Sequence, residues 1–261
     1  MLGTLVEVTA EGDAAIEAAF AAIRQVHALM SAHEPQSDIA RINRLGHLKP
    51  VEVHDWTLRV LERASFWSRE SDGAFDVLRA GHAAIASNLV PIHHGQPPPQ
   101  AAHWTSLELQ GSVARLDRPG CIDVGGIAKG FAVDRAIDAM QAASAASGMV
   151  NAGGDVAGYG RPWPVQIVEP RARRAIAEVM LDGEALATSA LADGSVRHLP
   201  GADPRWISAS VRARCAMDAD ALTKVLLAGS PRAAHCLGLA DADGLRGAAD
   251  GSVEPVDCVP A

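Results

Sequence analysis

The stretch Ile122-Asp-Val-Gly-Gly-Ile-Ala-Lys-Gly-Phe-Ala-Val-Asp134 constrains this chain more than any other. An apolar strand delivers Asp123, two glycines strip the joint of side chains, and a helix opens beside Lys129. Glycine lets a ligand approach the backbone closely, and a helix N-terminus flanked by a lysine favours a phosphate. The pattern is neither the G-x-x-x-x-G-K-[ST] loop nor the G-x-G-x-x-G fingerprint. Strand-Gly-Gly-helix joints also arise from packing alone. A second joint, Val150-Asn-Ala-Gly-Gly-Asp-Val-Ala-Gly158, again ends a strand in paired glycines, now beside Asp155. Taken singly it reads as a tight loop whose Asn and Asp bond to their own backbone. Two such joints in one chain point to a shared ligand crevice.

A third stretch is Asp218-Ala-Asp-Ala-Leu-Thr-Lys224. Asp220 and Thr223 are three apart, so on a helix their oxygens face one side. A carboxylate with a hydroxyl is hard-oxygen ligation suited to Mg²⁺. The competing reading makes Asp218 or Asp220 the N-cap of an ordinary core helix bearing Leu222, Val225 and Leu226, and locally it is the stronger one. His93 and His94 sit in a Pro- and Gly-rich segment and read as part of a solvated loop, not as a metal pair.

Around these joints the pattern predicts a strand over 2–9, then a helix that Asp13 caps and that carries Ile16, Phe20, Ile23 and Met30 at helical spacing. A short helical turn follows over Asp38–Arg44, and a helix from Asp55 stops at Ser71-Asp72-Gly73. Residues 88–103 read as a loop. A hairpin over 107–116 comes next, and then the helix beside Lys129, which is expected to end at Gly148. Strands near 149–151, 164–168, 176–181 and 206–211, a helix at about 218–228, and a last helix and strand complete the chain. Strands and helices do not alternate steadily, so the expected fold is α+β with largely antiparallel sheets and packed helices. There is no internal repeat and no Gly/Ser linker, which makes 1–261 a single domain.

Composition closes off other classes. With 48% hydrophobic residues the chain is not disordered, and no apolar run reaches the roughly 18 residues of a membrane span. The 23 basic against 31 acidic residues leave a net charge of −8, with no overall basic character to hold nucleic acid. Four scattered cysteines without a C-x-x-C pair read as mostly buried thiols, not as a zinc site or disulfide framework. No secretory leader is visible, so a cytoplasmic location is expected, or a periplasmic one if an upstream segment has been removed.

Taken in order, the residues resemble the FAD:protein FMN transferases, the ApbE-like flavin transferases. Leu2-Gly-Thr4 resembles the family's opening. Met30-Ser-Ala-His-Glu-Pro-Gln-Ser-Asp-Ile-Ala-Arg-Ile-Asn43 resembles its Ser-x-Tyr/His-x-Pro-x-Ser…Asn segment. Gly73-Ala-Phe-Asp76, Ile122 to Asp134, Asn151 to Asp155, Ala187-Thr-Ser189 and Ala219-Asp-Ala-Leu222 follow in register. The resemblance implies an ApbE-like α+β fold and a Mg²⁺-dependent reaction. In it the FMN half of FAD passes to a threonine hydroxyl of a target flavoprotein, and AMP leaves. By motif position it also implies FAD contacts at Asp76, Asp123 and Lys129, with Ala74 and Phe75 beside Asp76 and His33 in place of a flavin-contacting Tyr. It implies metal ligation by the Gly126 carbonyl, by Asp220 and by a threonine, here Thr223, and a catalytic role for His198.

The chain departs from the family pattern in places. The family's threonine stands four residues after the late Asp; here Thr223 is three after Asp220, and Lys224 holds the fourth place, where a cation repels a metal. Ala190 replaces a glycine, His198 lies two residues farther from Asp203-Pro204 than usual, and Arg205-Trp206 replaces Thr-Gly. These departures bear on the metal geometry and the target-binding edge more than on the FAD cleft. Two alternatives therefore accompany the transferase reading: a flavin-binding protein without transferase activity, and an FAD pyrophosphatase that uses water as acceptor.

Overall fold

A seven-stranded sheet organises the molecule. Its strands are β1 (Val6–Ala10), β5 (Gly148–Ala152), β6 (Asp155–Tyr159), β9 (Glu184–Ala190), β10 (Trp206–Ala213), β11 (Asp243–Ala248) and β12 (Val253–Val256), hydrogen-bonded in that order. Each of these neighbouring pairs is antiparallel. The computed structural model describes residues 2–169, 174–191 and 204–258. A three-stranded sheet joins β2 (Val51–Glu52), β4 (Val113–Leu116) and β3 (Leu107–Gln110), and a separate hairpin pairs β7 (Trp163–Val168) with β8 (Ala175–Leu181).

Seven α-helices among the described residues complete the α+β fold: α1 (Asp13–Met30), α2 (Asp38–Leu45), α3 (Asp55–Glu70), α4 (Val77–Ala86), α5 (Ala128–Ala142), α6 (Ala216–Leu227) and α7 (Ala233–Ala240). Helices α1, α5 and α6 pack in sequence, and α6 lies against β9 and β10. One apolar cluster runs from Ala15 to Ala242, with Ile23, Phe131, Met140, Leu222 and Leu226 among its fully buried members. Burial of such side chains, each contributing about 1.5–3 kcal/mol, holds helices and sheet together. Among the described residues no helix is long and apolar enough to cross a membrane. Cys121 and Cys236 are buried, Cys215 is half-buried, Cys258 is exposed, and all four are free.

Several local expectations need correction. Gly12, not Asp13, is the N-cap of α1, and Asp13 lies in its first turn. Neither Asp218 nor Asp220 caps α6. Its first amides, those of Ala216 and Met217, donate to the Asp134 carboxylate of α5 at 2.7 and 2.9 Å. Asp218 instead accepts two hydrogen bonds from Arg63 and one from Trp67 Nε1. Helix α5 ends at Ala142, and Gly148 begins β5. The segment 121–124, expected as a strand, has no regular secondary structure and lies outside every sheet; the side chain of Asn43 takes the place of a strand partner, accepting from Ile122 N at 2.7 Å and donating to Ile122 O at 3.0 Å.

Candidate active site

The segment that carries Asp123 is fixed from two sides. Asn43 holds Ile122 from one, and the backbone of α4 closes on it from the other. Asp123 N donates to Val77 O at 3.0 Å, and a Cβ on Gly81 would lie 2.0 Å from Cys121 O. Glycine is what permits that approach. After Asp123 the chain turns through Gly125 and Gly126 into α5; Gly125 N donates to Asp123 Oδ1 at 2.8 Å. The second glycine pair is a two-residue hairpin turn between β5 and β6. Gly153 and Gly154 have φ of 65° and 98°, and Ala152 pairs with Asp155 across the turn. Positive φ at both central positions suits the right-handed twist of the flanking strands and selects glycine. Asn151 Oδ1 accepts from Gly154 N at 3.1 Å, as expected of this loop, but the Asp155 carboxylate turns away from the local backbone to pair with Lys129.

These joints flank a cleft with two lobes. One, of about 390 Å³, is lined by Ala74, Phe75, Asp76, Gly126, Ser189 and Lys224 among others. The other, of about 360 Å³, is lined by Leu2, Met30, Ser31, His33 and Val90 among others. Leu89, Asp123, Gly125 and Lys129 border both lobes, and the last three form the waist on the side of the glycine joint. The residues assigned to flavin contact therefore converge from distant parts of the chain. Asp76, however, has both oxygens committed to backbone: Oδ1 caps α4 by accepting from Leu78 N and Arg79 N, and Oδ2 accepts from Trp104 N. Its side chain shapes the wall that presents Ala74 and Phe75. His93, from the loop, bonds to Ala32 O at 2.7 Å. His198 lies outside the described residues.

Behind the waist lies a cluster of four charged groups. Lys129 Nζ bonds to Asp155 Oδ2 at 2.6 Å and to both Asp220 oxygens at 3.2 and 3.3 Å. Lys224 Nζ donates to Asp220 Oδ1, to the Asp220 carbonyl at 3.0 Å and to Ser189 Oγ at 2.9 Å. From there a hydroxyl relay returns: Ser189 donates to Thr223 Oγ1 at 2.7 Å, and Thr223 donates to Asp220 O at 2.7 Å. The electrostatics follow from burial opposed by pairing. Burial disfavours the Asp220 carboxylate, but Lys129 and Lys224 outweigh it and hold the group below its ordinary pKa. Burial also disfavours the Lys129 ammonium, which Asp220 and Asp155 more than compensate, so its pKa is raised. For Lys224 burial wins and the pKa is lowered; for Asp155 burial and the Asp220 charge push it up to about 6.

The metal assignment does not survive this geometry. Gly126, Asp220 and Thr223 are brought together, but around the Lys224 side chain. The Asp220 carboxylate receives four hydrogen bonds from three donor atoms, one from Lys224, one on each oxygen from Lys129 and one from Gly130 N at 3.3 Å, which matches the roughly four acceptor sites of a carboxylate. The residues present do not fit a Mg²⁺ ion. Sequence reasoning also passed over Ser189 as a polar group of the site. Its place in Ala187-Thr-Ser189, the family motif on a strand edging the cleft, was the available signal.

A family model described as the ApbE family matches residues 2–243. Curated relatives are named FAD:protein FMN transferase. That of Treponema pallidum is 28% identical over 182 residues, covering 61% of this chain and 50% of that protein. That of Vibrio cholerae is 26% identical over 234 residues, covering 78% of this chain and 70% of that one. The chain thus spans about half the length of the Treponema relative. Among solved structures, the flavin transferase ApbE of Vibrio cholerae superposes with a TM-score of 0.80 at 21% identity, covering 98% of this chain and 94% of that one. The ApbE protein of Thermotoga maritima superposes at 0.82 with 23% identity, covering 97% and 94%. These two likenesses establish the fold, and the family model, matching nearly the whole length, establishes the lineage: the chain belongs to the ApbE family.

Proposed function

We propose that this protein transfers the FMN portion of FAD to a threonine hydroxyl of a target flavoprotein and releases AMP. The observation that carries the reading is the two-lobed cleft whose shared waist is built from Asp123, Gly125 and Lys129. FAD has the matching plan, two ring systems joined by a diphosphate. A bridge lying at the waist meets glycine backbone, the first turn of α5 and the lysine cluster, all suited to phosphate oxygens.

In the reaction the threonine Oγ forms a bond to the phosphorus on the FMN side, and the bridging P–O bond breaks. AMP departs with the bridging oxygen. Charge builds on that oxygen, and Lys129 and Lys224 offset it from fixed positions. Asp155 and Asp220 in turn hold the two ammonium groups in place. The threonine proton needs an acceptor; His198 is the candidate, on the resemblance alone. Names of the relatives support the same reaction, since those curated proteins are called FAD:protein FMN transferases.

The deciding experiment incubates the protein with FAD and a candidate acceptor subunit, then reads the acceptor mass and the AMP released. A covalent FMN phosphoester on threonine, with one AMP for each, is the expected result. AMP released equally without acceptor would assign a pyrophosphatase instead, and FAD bound without any AMP would assign a flavin-binding protein.

A further inference from the structure

We infer that the Lys224 ammonium occupies the place of a divalent cation in this chain, so that the site takes the diphosphate of a dinucleotide without Mg²⁺. The inference rests on the FAD reading above for its ligand, but its cause lies in the side chains around Asp220. Lys224 is one helical turn from Asp220, on the same face of α6, and its side chain is only 13% exposed. The stem runs past Gly126: a Cβ there would lie 3.2 Å from Lys224 Cε and 3.6 Å from Cδ. At its tip the ammonium's three N–H groups have three acceptors, namely Asp220 Oδ1, Asp220 O and Ser189 Oγ.

Two of the three groups assigned to a metal, the Asp220 carboxylate and the Thr223 hydroxyl, are thereby engaged. The Asp220 carboxylate is saturated, its carbonyl accepts from Lys224 and Thr223, and the Thr223 hydroxyl lies between Asp220 O and Ser189. Charge gives the same answer. Lys129 and Lys224 balance Asp155 and Asp220, so the cluster is neutral as it stands, and a doubly charged ion would enter against two ammonium groups. Among the described residues no group of three His, Cys, Asp or Glu side chains offers a different cation site. Lys224 also lines the cleft lobe that ends at the waist, so its charge faces the bound bridge.

The test has two readouts on the full chain. Mn²⁺ alone is titrated in and free ion is followed by electron paramagnetic resonance, and FAD affinity is measured by flavin fluorescence in EDTA and in Mg²⁺. For the wild type we expect no stoichiometric Mn²⁺ site and FAD dissociation constants that agree within about twofold between the two conditions. Lys224→Thr removes the ammonium with its stem and restores the Asp-to-Thr spacing of four that the resemblance implies for a metal site. That variant is expected to lose about tenfold or more in FAD affinity in EDTA, to recover it in Mg²⁺, and to take up Mn²⁺. Stoichiometric Mn²⁺ binding by the wild type, or a tenfold gain of its FAD affinity in Mg²⁺, overturns the inference. The wild-type arms decide even if the variant does not fold. FAD binding in neither condition overturns the flavin reading, while the Mn²⁺ arm still decides the role of Lys224.

Discussion

At the residue scale the molecule turns on Asp220, a fully buried carboxylate whose neighbours are two ammonium groups. Burying charges is tolerable only while they are paired, and removing one partner leaves the other uncompensated. Asp220→Ala strands Lys224 and removes two of the three acceptor oxygens of Lys129. By the usual cost of breaking a buried pair it should lose about 3–5 kcal/mol of stability. Urea unfolding of the variant against the wild type measures this, and a loss under about 1 kcal/mol would mean that water already screens the cluster. The same residues show what the sequence could and could not convey. The Asp220–Thr223 spacing put both side chains on one helical face correctly, and the departure at Lys224 was visible. What could not be read was that Lys224 shares that face so fully that it fills the site. That depends on the path of its stem past Gly126, a residue 98 positions away in the chain.

At the scale of elements, helix ends and backbone contacts place the site. Gly81, in the middle of α4, has the worst propensity for a helix apart from proline, and α4 is the helix that sequence periodicity does not reveal. Its reason is tertiary: the backbone of α4 touches the segment that carries Asp123. Gly81→Ala gains about 1 kcal/mol of helix propensity but sets a methyl 2.0 Å from Cys121 O, and backbone overpacking costs about 1–3 kcal/mol or more. The clash should win. We expect a lower melting temperature together with weaker FAD binding, because the displaced segment is the waist of the cleft. An unchanged affinity would detach Asp123 from ligand binding. Strands β6 and β9 were missed for a related reason. Both are central to the sheet; β6 is buried at every position and β9 over the run Ala185 to Ala187, so neither shows the alternation by which β1 was legible.

The contact between α5 and α6 carries a pH dependence of its own. Asp134 accepts from two α6 amides, yet burial outweighs them and pushes its carboxyl up to about 7 from an ordinary 3.8. The folded state therefore holds this proton more tightly than the unfolded chain does. The resulting stabilisation is complete below about pH 4 and is lost as pH rises through about 7. Asp134→Asn stays neutral throughout and lacks that loss. The melting temperature of the wild type minus that of the variant should fall steadily from about pH 4 to about pH 8. A difference that stays level, or that rises, would show a carboxylate ionised across the whole range.

At the scale of the whole molecule, the cleft is assembled from parts of the chain that meet only in the finished fold. Leu2 and Gly3 precede the first strand, Ser31 to His33 follow α1, and Gly73 to Asp76 precede α4. Thr188 to Leu191 close β9, and Lys224 comes from α6. The order of these motifs was legible from the sequence, whereas their convergence on two lobes with a common waist was not, since it depends on the packing of α1, α5 and α6 against the sheet. Such a site ties ligand binding to the fold as a whole. With FAD at a hundred times its dissociation constant, mass action adds about 2.7 kcal/mol to stability. The gain should be distributed: hydrogen exchange with FAD bound should slow at residues 31–33, 73–76, 123–129 and 188–191 together. FMN or AMP alone fills one end of the cleft, so each should protect the waist and one lobe only. If FAD slowed exchange around a single lobe, the dinucleotide would not span the waist, and the lysine cluster behind it would have to be read as a structural support with no phosphate to meet.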